Sequence, residues 1–264
     1  MIPNEMTLKE LIAQKTVLST FVKTPHPHII EVLSHCRLDC LIIDTEHTPH
    51  DKSTLDLCLL AAKATQQQAL VRIADHSSAA IQNALDCGAN GILVPHVQTP
   101  EQAQSIIERS YYGSTGRGFA LATRAGGYGS ARSIADHLEQ ENQNTCILAQ
   151  IEDRLGLNNV DAIAALPQID GLFIGQVDLA VSLGQRALGS SVVREAITKI
   201  IHAGKRFNKS IGIFLPSSDD INYWQKQGCS LFAIGSEHKQ IVQGFKMLVD
   251  EYGAQSNPNI PQVS

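Results

Sequence analysis

The stretch CILAQIEDRLGLNNVDAIAALPQIDGLFIGQVD, residues 146–178, decides the fold. Two short apolar runs, CILAQIE and DGLFIG, bracket a segment, NNVDAIAALPQ, whose apolar residues recur at helical spacing. An uninterrupted apolar run of strand length suits a strand covered on both faces. Strand, crossover helix, strand is in turn the unit from which parallel sheets are built. Each run also leads into a carboxylate: Glu152 ends the first, and Asp178 follows the second just beyond the turn at Gly175 and Gln176.

The unit repeats along the chain in both directions. Towards the N-terminus lie TVLSTFV (16–22), DCLIID (39–44), ALVRI (69–73) and GILVPHV (91–97); towards the C-terminus lie SIGIFL (210–215) and LFAIG (231–235). Between them run helical patterns such as KSTLDLCLLAAKATQ, SSAAIQNALDCG and SVVREAITKIIHAGKRFN, several opening on Ser, Thr, Asp or Asn and closing near Gly. Eight strand–helix repeats close into a single α/β domain, a (β/α)8 TIM barrel. The 264 residues, 43% of them hydrophobic, suit one such domain spanning 1–264. An open doubly wound sheet would ordinarily offer a glycine-rich phosphate loop after its first strand, whereas KTPHPH follows Val22 without a glycine.

One segment breaks the rhythm. Residues 109–144 include YYGSTGRGFALATRAGGYGS, too rich in glycine for a packed helix, and are expected to form an active-site loop at the C-terminal face of the barrel. The polar tail, 254–264, is expected to order only against a neighbour. A net charge of −5 without a Lys/Arg run argues against nucleic acid as a partner. The N-terminus lacks the pattern of a signal peptide, and no apolar stretch is long enough to span a membrane, so a cytoplasmic protein is expected. The six cysteines are scattered without a CxxC pair, which supports neither a disulfide framework nor a zinc site.

In a barrel the reactive groups come from the C-terminal ends of strands and the loops beyond them. The candidates there are Asp44, Glu46 and His47 after the second strand, Arg72 on the third, His96 on the fourth, Gln150 and Glu152 on the fifth, and Asp178 after the sixth. Glu152 and Asp178, on neighbouring strands, offer two carboxylates over one end of the barrel, a donor set for Mg²⁺ or Mn²⁺ with positions left open for a chelating 2-oxo acid. Taken singly, Glu152 could instead pair with Arg154, and Asp178 could be a helix cap. A guanidinium within ALVRI needs an anion, which is a substrate carboxylate or enolate in one reading and a structural ion pair in the other. His47 can move a proton near neutral pH, and Asp86 could orient it, although Asp86 also reads as a helix-surface residue. His26, His28, His50, His76, His202 and His238 occupy loop or helix positions and are expected in solvent.

These segments resemble the metal-dependent HpcH/HpaI aldolase family, related to the citrate lyase beta subunit. IIDTEHTPHD, VRIADHSSAAIQNALDCGANGILVPHVQTPEQA and ILAQIEDRLGLNNVDAIAALPQIDGLFIGQVDLAVSLG carry the resemblance over nearly the whole chain. It implies His47 as acid/base with Asp86 as its partner, Arg72 facing the 2-oxo acid, Glu152 and Asp178 as metal ligands, and Gln150 beside the substrate. The turn Gly175, Gln176, Val177 and Asp178 would contact the substrate carboxylate, and Leu215 would complete the substrate-binding set. The resemblance also implies a homo-oligomer built from dimers, up to a hexamer, whose last helix is exchanged between subunits. Departures lie in GQVDLA, where the family has GPADLS and Gln176 replaces proline, and in YYGSTGRGFA.

The resemblance leaves the co-substrate open. A degradative aldolase joins pyruvate or oxaloacetate, as its enolate, to an aldehyde, or cleaves the product. A citrate synthase-like branch found in siderophore gene clusters condenses oxaloacetate with acetyl-CoA, and GRGFALATRAGGYG resembles that branch at least as well. The two differ in whether the rim, through Arg117 and Arg124, accepts a CoA chain or a short aldehyde. A non-catalytic 2-oxo acid binding protein is the third reading; it would need Glu152 and Asp178 but not His47.

Overall fold

The computed structural model describes residues 6–114, 116–130 and 133–256, with side chains as far as Gly253. Thr7 caps α1 (Leu8–Gln14) by accepting from the Glu10 amide while the Glu10 carboxylate accepts from Thr7, a reciprocal pair that starts the helix. Eight parallel strands follow: β1 (Val17–Val22), β2 (Cys40–Asp44), β3 (Gln68–Arg72), β4 (Gly91–Val94), β5 (Cys146–Ile151), β6 (Gly171–Ile174), β7 (Ser210–Leu215) and β8 (Leu231–Ser236). They pair in chain order, and β1 also pairs with β8, so the barrel is closed. All eight apolar runs named above become strands, shifted by a residue or two at some ends and by three where β4 stops at Val94.

Alternation along the strands divides the core. Phe21, Ile42, Leu70, Leu93, Leu148, Phe173 and Leu231 fill the barrel, and Leu8 and Ile12 of α1 plug its N-terminal end. Their neighbours, including Leu41, Ile43, Val71, Ile92, Ile147 and Leu172, point outward into a second cluster shared with the surrounding helices. Those helices are α2 (Pro27–Ser34), α3 (Lys52–Ala64), α4 (Ser78–Asp86), α5 (Pro100–Ser110), α6 (Ile134–Asn144), α7 (Arg154–Ala164), α8 (Gln176–Ser182), α9 (Ser191–Arg206), α10 (Ile221–Gln227) and α11 (Glu237–Ser256). All six cysteines are free, and five are buried as small apolar groups. Among the described residues no helix is long and apolar enough to cross a membrane.

The segment 109–144 corrects an expectation. It follows a helix, α5, rather than a strand, and barrel helices run back towards the N-terminal ends of the strands. The segment therefore lies at the face opposite to the one expected for an active-site loop. There the Ala125 amide donates to the Asp86 carbonyl, Arg124 donates to the Cys87 carbonyl, and the Tyr111 hydroxyl donates to the Thr145 carbonyl just before β5. Its last third is α6, a regular helix that the glycine count concealed.

The helix α11 leaves the barrel. Phe245, Met247, Leu248, Val249 and Tyr252 are each more than 60% exposed, an apolar surface that none of the described residues covers. Residues 257–264, most of the tail expected to dock on a neighbour, lie outside the described residues.

Candidate active site

A cavity of about 220 Å³ opens at the C-terminal ends of the strands. Phe21, Phe173 and Phe214 form its apolar side, and His47, Arg72, Gln150 and Asp178 its polar side, with Lys23, Ser236 and Lys239 completing the ring. That volume is below the roughly 300–1,000 Å³ typical of drug-sized ligands and suits a small metabolite.

The floor is organised by Asp44, the last residue of β2. Its carboxylate is fully buried and accepts from Arg72 Nε at 3.0 Å and Nη2 at 2.7 Å, while the Lys23 ammonium stands at 3.2 Å. Burial works against its charge, but the Arg72 hydrogen bonds and the two cations prevail and hold its carboxyl below the usual range. The bidentate grip fixes the guanidinium plane, which also lies over the Phe21 ring at 4.6 Å. Arg72 is thus both structural and site-forming, since it pairs with Asp44 and still lines the cavity. Glu46 stands 3.2 Å from Arg72 Nη1, 3.4 Å from His47 Nε2 and 3.5 Å from His96 Nε2.

Glu152 follows directly on β5. It accepts from the side-chain amide of Gln150 and, at 2.7 Å, from the backbone amide of His96. His96 adopts φ +52°, a left-handed conformation that non-glycine residues seldom enter, and its Nδ1 lies 3.2 Å from the Glu152 carboxylate. Burial, with a contribution from nearby Asp178, raises the Glu152 carboxyl above its usual range despite these hydrogen bonds. Gly175 is required beside it, because a Cβ there would stand 2.8 Å from Glu152 Oε2. Past Gly175 the first amides of α8 have no side-chain cap.

Of the residues expected at the site, His47, Arg72, Gln150, Gly175, Val177 and Asp178 line the cavity, and Glu152 is buried beside it. Three lie elsewhere within this chain. Asp86 ends α4 and pairs with Arg117, itself fully buried, so within the chain the carboxylate beside His47 is Glu46 and not Asp86. Leu215 points outward into the barrel–helix cluster, and by strand alternation Phe214 faces the cavity in its place. Gln176 turns its amide to the Phe214 carbonyl, at 2.7 Å, and secures the turn from behind.

Arg117 and Arg124 are likewise withdrawn from the rim. They form ion pairs with Asp86 and Asp56 at the other end of the barrel. Among the described residues Glu152 has no ion pair with Arg154, and the N-cap of α8 is Gly175 rather than Asp178. The sequence reading missed Lys23, Lys239 and the phenylalanine wall. The first follows β1 directly and the second sits in the first turn after β8, so the strand-end rule would have found both had it been carried past the sixth strand and back to the first.

The residues present fit a divalent cation. Glu152 is a buried carboxylate without a Lys or Arg partner among the described residues, Asp178 adds a second carboxylate, and all these donors are oxygen. No group of three or more His, Cys, Asp or Glu among the described residues could hold a metal, so such an ion would complete its coordination with water and substrate. Mg²⁺ habitually does so.

Comparison with known proteins places the chain in a family. The model of the HpcH/HpaI aldolase/citrate lyase family matches residues 18–244. The 5-keto-4-deoxy-D-glucarate aldolase of Salmonella paratyphi C (strain RKS4594) is 34% identical over 244 residues, covering 92% of this chain and 94% of its own. Among solved structures, an HpcH/HpaI aldolase/citrate lyase family protein from Burkholderia cenocepacia J2315 superposes with a TM-score of 0.88 at 26% identity, over 93% of this chain and 98% of that one. The citrate synthase SbnG superposes with a TM-score of 0.85 at 27% identity, over 96% and 100%.

Proposed function

The chain belongs to the HpcH/HpaI aldolase/citrate lyase family and is a carbon–carbon lyase of aldolase type, and on that footing we propose how its residues work and on what. The substrate is a small 2-oxo acid, pyruvate or oxaloacetate, which reacts through its enolate with an aldehyde; cleavage is the reverse. Glu152 and Asp178 would hold Mg²⁺ or Mn²⁺, which when bound would polarise the keto group and balance negative charge on the enolate. The observation that carries this reading is the Glu152 carboxylate, buried without a Lys or Arg partner among the described residues and set beside a cavity that presents Arg72 and Asp178.

Arg72 commits Nε and Nη2 to Asp44, stands with Nη1 3.2 Å from Glu46, and turns its cavity-facing edge to the keto oxygen. The guanidinium is already oriented, so little reorganisation is needed as charge develops there. Gln150, held by Glu152, flanks the substrate, and the turn from Gly175 to Asp178 receives its carboxylate. His47 takes a proton from the methyl carbon. The electron pair of that C–H bond becomes the enolate double bond, which attacks the aldehyde carbon, and the new alkoxide takes the proton back from His47. Glu46, 3.4 Å from His47, steadies the protonated ring.

The enzyme works in the cytoplasm as a homo-oligomer. A second copy covers the apolar face of α11, in dimers that assemble further, up to a hexamer. The likeness to a citrate synthase supports condensation with acetyl-CoA as the alternative. That reading loses its expected rim arginines, since Arg117 and Arg124 are buried in ion pairs. Metal-loaded protein incubated with oxaloacetate, with and without acetyl-CoA, separates the readings: pyruvate in both samples supports the aldolase, and citrate formed only with acetyl-CoA replaces it with the synthase.

A further inference from the structure

The first residue of α11 reaches back to the end of β1. Glu237, 2% exposed, accepts with one carboxylate oxygen from the backbone amides of Lys23 and Thr24, at 2.7 and 2.6 Å. Its other oxygen is buried without a hydrogen-bond partner among the described residues. Burying a carboxylate is costly, so these two short bonds to a charged acceptor hold it in place, and in return they fix both amides. The Thr24 hydroxyl also meets His238 Nε2, at 2.9 Å, but that contact joins side chains and leaves the Lys23 amide to Glu237.

Lys23 carries this restraint into the cavity. It follows β1 directly, lines the cavity, and sets its ammonium 3.2 Å from Asp44 Oδ2, the oxygen that also accepts from Arg72 Nη2. A lysine stem has many rotamers, and its ammonium keeps one position only where the backbone beneath it is fixed. On this wall Arg72 and Lys23 are set against Asp44 and Glu46, so the charges balance only while the lysine stays. Without it a negative charge is left in excess, which opposes an anionic ligand.

We propose that Glu237 is a positioning residue for the reaction: it acts through the Lys23 backbone to hold the ammonium on Asp44, and so keeps excess negative charge off the wall that receives the 2-oxo acid. This rests on the reading of that wall as the 2-oxo acid site.

The placement of Lys23 is read without substrate. Reductive methylation with ¹³C-formaldehyde labels the lysine ammonium groups for NMR, and Lys23→Met identifies the Lys23 signal. In the wild type that signal is expected away from those of exposed lysines. Glu237→Met, similar in size but without an acceptor, should bring it among them while the other lysine signals stay where they are. Glu237→Gln, which drops the charge and keeps an acceptor for the two amides, should leave it displaced. Calorimetric titration of the Mg²⁺-loaded enzyme with pyruvate then tests the consequence. Lys23→Met and Glu237→Met are each expected to bind on the order of tenfold more weakly, with Glu237→Gln within about twofold of the wild type. The double variant should bind no more weakly than Lys23→Met alone, because the second residue acts through the first. An unmoved Lys23 signal in Glu237→Met, losses that add in the double variant, or a Glu237→Gln as weak as Glu237→Met overturns the assignment. Unchanged affinity in Lys23→Met overturns it as well, even where Glu237→Met fails to fold. Pyruvate that does not bind the wild type overturns the 2-oxo acid reading instead, and the lysine signal still decides whether Glu237 places Lys23.

Discussion

Asp44 gives up its hydration entirely and is held in charged form by Arg72 and Lys23. Because its carboxyl is lowered in the folded protein, the stabilisation is complete above the ordinary carboxylate range and is lost as pH falls through the lowered value. Asp44→Asn deprives buried Arg72 of its bidentate carboxylate, leaving only Glu46 beside Nη1, and is expected to cost about 3 kcal/mol. Denaturant unfolding between neutral and acid pH should show the loss together with a flatter acid limb. At this scale the sequence was informative where a residue type conflicted with its setting. An arginine inside ALVRI announced an anion, and a glutamate ending CILAQIE announced a cation or a proton. It did not place Asp86 and Leu215, whose positions depend on which way a side chain turns at the end of a helix or strand, and apolar spacing does not fix that.

Elements were easier to read than their placement. The strands are buried on both faces, so apolar runs marked them directly, but α6 begins only after a glycine-rich stretch and was absorbed into the supposed loop. The error about that loop was one of polarity, because a segment after a helix returns to the N-terminal face whatever its composition. The turn between β6 and α8 depends on close approach rather than on strained dihedrals. Gly175→Ala keeps an accessible backbone conformation yet drives a methyl group against Glu152. The variant is expected to remain folded by circular dichroism while its affinity for Mn²⁺, followed by electron paramagnetic resonance, falls at least tenfold.

For the whole molecule, the closed barrel sets a division of labour: α1 and the 109–144 segment seal the N-terminal end, and the chemistry gathers at the other. The exposed apolar face of α11 is the surface that the proposed assembly would cover. Phe245→Asp combined with Leu248→Asp is expected to convert the assembly to monomers in sedimentation velocity, with the barrel's far-ultraviolet spectrum unchanged; an unaltered sedimentation coefficient would remove α11 from the interface. The central claim, that Glu152 holds the cation under which a 2-oxo acid becomes its enolate, is tested most directly by proton NMR of pyruvate in D₂O with Mg²⁺. The wild type should replace the methyl protons with deuterium, and Glu152→Gln, which keeps the side chain's shape and removes its charge, should slow this by at least about 100-fold. Exchange at the wild-type rate in Glu152→Gln would contradict the account.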